Sequence, residues 1–262
     1  MTNASRETTG VARGTTLQPV AVAPRRWEDY RGVAPDDILE DAAEYGRALR
    51  GTRILHVNAT AYGGGVAELL ASEIGLLRDV GVQAEWRVIC PDAAFFEVTK
   101  QIHNAMQGKA AGLSDADRAV YLERNAHCAA MLEDEWDVVV VHDPQPAALR
   151  ADEPAPNARW IWRCHIDTST PDLAVWAFLR SFVTAYDAYV FTLASFAPAE
   201  LAGDRLAVIA PAIDPLATKN CSLPRFLARS TTPPRSQCAS AGSSRQMTIS
   251  SAGNAYSASA TA

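Results

Sequence analysis

Residues 53–70 read RILHVNATAYGGGVAELL, and this stretch decides the fold. Residues 53–57 form a short apolar run followed by turn residues, as in a strand buried within a parallel sheet. From Val66 onward the apolar residues recur at helical spacing. Three glycines between the two patterns predict a tight strand-to-helix turn whose backbone a ligand can approach closely. The free N–H groups of the helix start would suit a phosphate or a sugar hydroxyl, although the same turn also fits a connection without a ligand.

Strands and helices alternate along the rest of the chain. Further strands are predicted at 82–90, 136–141, 159–166, 188–193 and 206–210. Further helices are predicted at 35–50, 91–107, 114–133, 168–186 and 198–201. This alternation predicts an α/β fold, a doubly wound parallel sheet with helices on both faces.

Composition limits the classes of function. The 262 residues carry a formal net charge of −6 and are 48% hydrophobic, which gives no reason to expect binding to nucleic acid or to a membrane. No apolar run approaches the length of a bilayer span, and no secretory leader is visible. Five cysteines without a CxxC spacing predict free thiols in a reducing cytoplasm.

Both ends of the chain differ in character from the middle. Residues 1–26 are rich in Thr, Ala, Arg and Gly without periodicity, which predicts a disordered arm. Beyond Asp214 the chain contains no Asp or Glu, and Ser, Ala, Thr and Arg dominate after about residue 220. We therefore expect one folded domain over residues 27–220 and a disordered or out-of-frame tail over 221–262.

Polar residues cluster where three of the predicted strands end. Asn58 precedes the glycine turn, while His142 with Asp143 and His165 with Asp167 close two later strands. The carboxyl ends of parallel strands lie on one edge of a sheet, so we expect these side chains to lie near each other. A single histidine at a strand end is more often structural, but together with the glycine turn the cluster predicts a binding site.

Several common site motifs are absent. Glu68 stands where a dinucleotide fingerprint beginning at Gly63 would have Gly or Ala, and no Gly-Lys-Ser/Thr follows the first strand. A G-x-S-x-G nucleophile elbow is also missing from the sequence. The strand-end His and Asp residues leave a metal-dependent hydrolase open as a rival, because such N/O ligand sets suit zinc or manganese.

Four motifs, taken in order, resemble the N-terminal half of the glycosyltransferring trehalose synthases. They are HVNATAYGGGVAE at 56–68, VHDPQP at 141–146, RCHID at 163–167 and PAIDPL at 211–216. That family belongs to the retaining, two-domain (GT-B) glycosyltransferases, and the resemblance extends over about residues 35–220. It implies a Rossmann-like N-terminal domain that carries the acceptor side of a cleft.

The resemblance also implies an activity and roles for residues. Such enzymes transfer glucose from a nucleotide-diphosphate glucose to glucose, which gives trehalose, without a metal or another cofactor. His165 matches the strand-end histidine that touches the donor sugar, and His165 and Asp143 are the expected catalytic residues. The glycine turn matches the loop that approaches the donor phosphates. The expected substrate-binding residues are Asn58, Gly63, Gly64, Gly65, His142, Gln145 and Asp167.

The resemblance ends at the PAIDPL motif. The family continues into a second domain that grips the donor, whereas this sequence continues into Ser, Ala, Thr and Arg. We therefore expect either a truncated transferase that is inactive alone or a non-catalytic sugar-binding remnant. The expected partners are the two sugar substrates, and a homodimer is compatible with the sequence.

Overall fold

The computed structural model describes residues 17–89, 92–110, 112–132, 135–151 and 153–220. The tail predicted to be disordered and residues 1–16 of the predicted arm lie outside these described residues. Within them, no helix is both long and apolar enough to cross a bilayer.

The described residues form a seven-stranded sheet and five α-helices. The strands are β1 (Leu17–Pro19), β2 (Arg53–Asn58), β3 (Gln83–Ile89), β4 (Val138–His142), β5 (Arg159–Cys164), β6 (Ala188–Phe191) and β7 (Leu206–Val208). The helices are α1 (Asp36–Ala48), α2 (Gly65–Asp79), α3 (Ala93–Met106), α4 (Asp115–Ala129) and α5 (Leu173–Val183). The helix predicted at 198–201 is a short 3-10 turn, Ala199–Leu201.

The sheet has the order β1-β3-β2-β4-β5-β6-β7. All neighbouring strands run parallel except β1, which pairs antiparallel with β3. The chain moves from β2 outward to β3 and then returns to β4 on the other side of β2. The gap between β2 and β4 is therefore a topological switch point, where open α/β sheets bind ligands beyond the strands' carboxyl ends. The predicted α/β doubly wound parallel sheet is confirmed.

Helices cover both faces of the sheet, because alternate residues of each strand point to opposite sides. One face packs against α3, α4 and α5, and it includes Leu55, Val57, Val139, Val141, Trp160 and Trp162. The other face packs against Leu70 and Ile74 of α2, and it includes Ile54, Ala84, Trp86 and Val140. His56 lies two residues after Ile54, and His142 lies two residues after Val140. Both histidines are therefore on this second face, which we call the α2 face.

The prediction of a disordered arm is wrong for residues 17–26. β1 pairs with the outer edge of β3, and its Leu17 is buried in the core with 5% of its surface exposed. The chain then crosses α2, where a Cβ added to Gly75 would lie 2.9 Å from the carbonyl oxygen of Ala23. A three-residue edge strand stabilised mainly by backbone hydrogen bonds is too short to produce a periodic pattern in the sequence.

α5 begins at Leu173 instead of the predicted Thr168. Asp172 is its N-cap, because the Asp172 carboxylate accepts hydrogen bonds from backbone N–H groups of the helix's first turn. Thr168 is buried, and its hydroxyl donates to the carbonyl of Phe196 at 2.8 Å. Residues 165–172 therefore form a loop beyond the carboxyl end of β5, and this loop is part of the site described below.

Candidate functional site

Three histidines lie in a diagonal row across the α2 face. His56 is in β2, His142 ends β4 and His165 follows β5. His56 is in register with Val140, and His142 is in register with Arg163. Each histidine is thus two residues nearer the carboxyl edge than its neighbour on the previous strand. We call His56, His142 and His165 the histidine row.

Hydrogen bonds connect the whole histidine row. Nδ1 of His56 lies 3.1 Å from Nε2 of His142, and Nδ1 of His142 lies 2.9 Å from Nε2 of His165. The ring planes of neighbouring histidines are inclined by only 26° and 13°, and their centroids are 5.3 Å and 5.2 Å apart. His56 and His142 are buried, whereas His165 is partly exposed at the carboxyl edge of the sheet. The row therefore runs from the interior to the place where a ligand would bind.

The rival metal centre does not fit this geometry. Both ring nitrogens of His142 are engaged by its two neighbours. One carboxylate oxygen of Asp143 accepts from the backbone N–H of His165, and one of Asp167 accepts from the backbone N–H of Ser169. Across the part of the chain that the structure describes, no three His, Cys, Asp or Glu residues are grouped to hold an ion. The geometry of the described residues therefore gives no support to the metal-dependent hydrolase hypothesis at this cluster.

Burial keeps the histidine row neutral. It lowers the pKa of His56, and it lowers the pKa of His142 well below its usual value, helped by the neighbouring rings and Arg163. Burial, followed by the positive charge of Arg163, lowers the pKa of His165 to about 4. At neutral pH each ring therefore has one nitrogen that donates a hydrogen bond and one that accepts.

Asp143 ties the ends of β4 and β5 together. Its backbone N–H donates to the carbonyl of Arg163 at 2.9 Å, and its Oδ1 accepts from the backbone N–H of His165 at 2.7 Å. Its φ angle of 65° is left-handed, which is uncommon for a residue other than glycine. Burial raises the pKa of the Asp143 carboxyl to about 6, against the lowering effects of the His165 N–H and Arg163. A carboxyl that titrates near neutral pH can exchange a proton with a bound ligand.

The glycine loop, Gly63–Gly65, follows β2 directly at the switch point. Gly63 has a φ of 80°, and Gly64 is the extended N-cap of α2. A Cβ added to any of the three glycines would meet no atom within 4 Å, so the loop borders open space. No side chain caps α2 at Gly64, so the N–H groups of the helix's first turn can donate to an anion instead.

Two alanine substitutions test whether the loop needs glycine for its backbone conformation or for the open space around it. Gly63→Ala should lower the free energy of unfolding by about 1–2 kcal/mol, because the left-handed backbone is unfavourable for a residue with a Cβ. Gly64→Ala is the matched control, since its extended backbone accepts any residue and its surroundings are open. Urea unfolding of both variants measures the difference, and equal midpoints would contradict the assigned role of Gly63.

Asn58 supports the glycine loop from inside the protein. Its Oδ1 accepts from the indole N–H of Trp86 at 2.7 Å, and its Nδ2 donates to the carbonyl of Thr60 at 2.8 Å. Only 4% of Asn58 is exposed. Both halves of the amide are thus occupied within the protein, which indicates that Asn58 shapes the loop. Its contact with a substrate stays a prediction.

Gln145 and Asp167 lie in the loops that follow β4 and β5. The side-chain Oε1 of Gln145 is buried without a hydrogen-bond partner among the described residues, while its carbonyl accepts from Asn125. Asp167 is exposed, and its carboxylate accepts from the backbone N–H of Ser169 at 2.9 Å. The structure thus brings Asn58, His142, Asp143, Gln145, His165 and Asp167 to the carboxyl edge that the sequence predicted. Their roles in binding and catalysis stay predictions.

A buried carboxylate in the PAIDPL motif was not recognised from the sequence. Asp214 accepts from the Tyr30 hydroxyl at 2.9 Å and from the Ser72 hydroxyl at 2.8 Å, and the Arg25 guanidinium lies 3.2 Å from it. Burial, with the hydrogen bond to Asp214, raises the pKa of Tyr30 to about 12. These partners are far apart along the chain, so no spacing in the sequence could have revealed them. Together they fix Asp214 against α2.

Comparison with known proteins points to one family. The family described as "Trehalose synthase, N-terminal domain" matches residues 56–198. The trehalose synthase of Rubrobacter xylanophilus is 44% identical over 214 residues, which are 80% of this chain and 51% of that protein. The trehalose synthase of Thermococcus litoralis is 42% identical over 201 residues, which are 76% of this chain and 48% of that protein. The chain spans about half the length of the curated relatives it matches.

A likeness is also found among solved structures. The α,α-trehalose-phosphate synthase (UDP-forming) from Burkholderia vietnamiensis superimposes with a TM-score of 0.40 at 17% sequence identity. The superposition covers 56% of this chain and 42% of that one.

Proposed function

The chain belongs to the trehalose synthase N-terminal domain family, and from this premise we propose that it takes part in glucosyl transfer that forms trehalose. The donor is a nucleotide-diphosphate glucose, the acceptor is glucose, and the anomeric configuration is retained. One observation carries the proposal: the glycine loop and the histidine row flank the switch point of the sheet. The two relatives that are 44% and 42% identical are both named trehalose synthases, which supports the same reaction.

The glycine loop would receive the donor diphosphate. Negative charge grows on the phosphate oxygens as the bond to the sugar breaks. N–H groups already oriented at the start of α2 stabilise that charge without rearranging. An open loop without Cβ atoms lets the phosphate approach these groups closely.

His165 and Asp143 would contact the sugars. Nδ1 of His165 has no hydrogen bond to any described residue and belongs to a partly exposed side chain, so it can bond a sugar hydroxyl. Asp143 lies next to it at the end of β4, and its pKa of about 6 makes its carboxylate able to accept a proton from a hydroxyl. His142 is buried between His56 and His165 and forms a hydrogen bond with each, so it supports His165 from inside the protein. We propose that these residues line the sugar side of the site.

We propose further that residues 1–262 supply one wall of the site and form no trehalose by themselves. Transfer requires donor and acceptor to be held together, and such orientation contributes roughly 7–11 kcal/mol to lowering a barrier. The alternative is a non-catalytic sugar-binding protein. A nucleotide-sugar substrate and the buried free thiol of Cys164 support a cytoplasmic location.

A fusion tests the proposal directly. Residues 1–214 are joined to the C-terminal half of the Rubrobacter xylanophilus relative, and trehalose formation from nucleotide-diphosphate glucose and glucose is measured. We expect the fusion to form trehalose and the unmodified chain to form none. Turnover by the unmodified chain at an ordinary rate, on the order of 1–10³ s⁻¹, would contradict the one-wall proposal. A well-folded fusion that binds glucose without any turnover would favour the sugar-binding alternative.

A further inference from the structure

The two hydrogen bonds of the histidine row allow only two arrangements of protons. A neutral imidazole carries one N–H and one lone pair. If His142 donates from Nδ1 to His165, its Nε2 must accept from His56, and all three rings are protonated on Nδ1. If His142 donates from Nε2 to His56, it must accept from His165, and all three rings are protonated on Nε2. The tautomers of the three histidines are therefore coupled.

The charges around the row favour protonation on Nε2. Glu73 of α2 acts electrostatically on His56, whose pKa it raises against the larger effect of burial, while the positive charge of Arg163 acts on all three rings. The Oε2 of Glu73 is buried without a hydrogen-bond partner in the described part of the chain, and its Oε1 lies 3.9 Å from the guanidinium of Arg163. A carboxylate attracts the positive ends of N–H dipoles. It therefore favours the arrangement in which every N–H of the row points toward the His56 end.

We propose that His142 and His56 are positioning residues that hold His165 as the Nε2–H tautomer. The Nδ1 lone pair of His165 is then fixed at the carboxyl edge, where it accepts a hydrogen bond from a sugar hydroxyl. A solitary histidine would exchange between tautomers and would offer a donor for part of the time. The proposal rests on the proposed function only for the identity of the hydroxyl ligand.

The tautomers of the ligand-free chain can be measured by NMR. The chain has five histidines, so two-bond ¹H–¹⁵N correlations of ¹⁵N-histidine-labelled protein at neutral pH can be assigned by single substitutions. We expect His56, His142 and His165 all to carry the proton on Nε2. Protonation of His165 on Nδ1, or a mixture of tautomers at His165, would overturn the proposal. Because no substrate is present, failure here is distinct from failure of the fusion to form trehalose.

Two variants test whether the tautomer preference of His165 depends on its hydrogen bond to His142 and on the charge of Glu73. His142→Phe keeps an aromatic ring between the two neighbours but removes both hydrogen bonds, so His165 should become a mixture of tautomers. Glu73→Gln keeps the side-chain shape and removes the charge, so the Nε2–H fraction should fall together in all three histidines. His127→Phe, on the exposed side of α4, is the control and should change none of them. If the His142 variant does not fold, Glu73→Gln decides alone, and an unchanged His165 in that variant would overturn the proposal.

Discussion

His165→Ala in the fused protein is expected to slow trehalose formation by about a hundredfold or more, because it removes a preorganised hydrogen bond that orients the sugar in the site. His165 is the member of the histidine row that reaches the carboxyl edge, and its Nδ1 has no hydrogen bond within the described residues. Alanine removes the ring that contacts the sugar, while the backbone N–H that donates to Asp143 remains. The effect should therefore fall on kcat more than on folding.

A matched control separates chemistry from general damage. His127→Ala removes an exposed imidazole from α4, which lies on the opposite face of the sheet, and should leave trehalose formation unchanged. For the comparison to be valid, both variants need the same free energy of unfolding as the unsubstituted fusion, within a few tenths of a kcal/mol. A loss of less than about tenfold for His165→Ala, equivalent to 1.4 kcal/mol, would remove His165 from the proposed catalytic residues.

Local sequence patterns predicted most of the sheet. The apolar run of β4 and the change of period after the glycine loop follow directly from the alternation of strands and from helical repeats. The placement of Asn58, His142 and His165 at one edge also follows, because parallel strands share the direction of their carboxyl ends. These features depend on short windows of sequence, and for that reason they are visible without the structure.

Contacts set by strand register were not predictable. The motifs assign no role to His56, although its spacing from Asn58 puts both on one face of β2. Its hydrogen bond to His142 depends on how far β4 is shifted against β2, and the sequence does not encode that shift locally. The hydrogen bond between Asp214 and Tyr30 could not be predicted either, because the two residues are 184 positions apart along the chain. β1 was missed because its pairing is made by the backbone.

Asp143→Asn is expected to stabilise the fold at neutral pH by about 1–3 kcal/mol, from a shift of roughly two pKa units at 1.36 kcal/mol each, reduced for partial exposure. The folded carboxyl has a pKa of about 6 against an ordinary value of 3.8. Between these values the folded protein holds a proton that the unfolded chain has released. Stability therefore falls as the pH rises through this window. Below pH 3.8 the carboxyl is protonated in both states, so its destabilising effect on the fold is absent. Asparagine cannot ionise, so the gain should be present at pH 7 and vanish near pH 4.

The substitution changes little else at this position. Asparagine keeps a carbonyl oxygen to accept from the N–H of His165, and it tolerates a left-handed φ of 65°. The histidine row acts in the opposite direction, because a lowered pKa such as that of His165, about 4, makes stability rise with pH. The effect of the histidine row on stability is the same in the Asp143→Asn variant and in the unsubstituted chain, so it cancels when the two are compared.

Thermal unfolding at pH 4 and pH 7 decides the outcome, with Asp204→Asn on the exposed surface as the control. A gain of equal size at both pH values would contradict the ionisation argument, and a loss at pH 7 would contradict the penalty of burying the charge. In the fusion the same Asp143→Asn change should reduce trehalose formation, because the amide cannot accept the proton of a sugar hydroxyl. A residue whose replacement strengthens the fold and weakens the reaction is retained for chemistry, and that pairing of effects is the strongest support Asp143 could have as a catalytic residue.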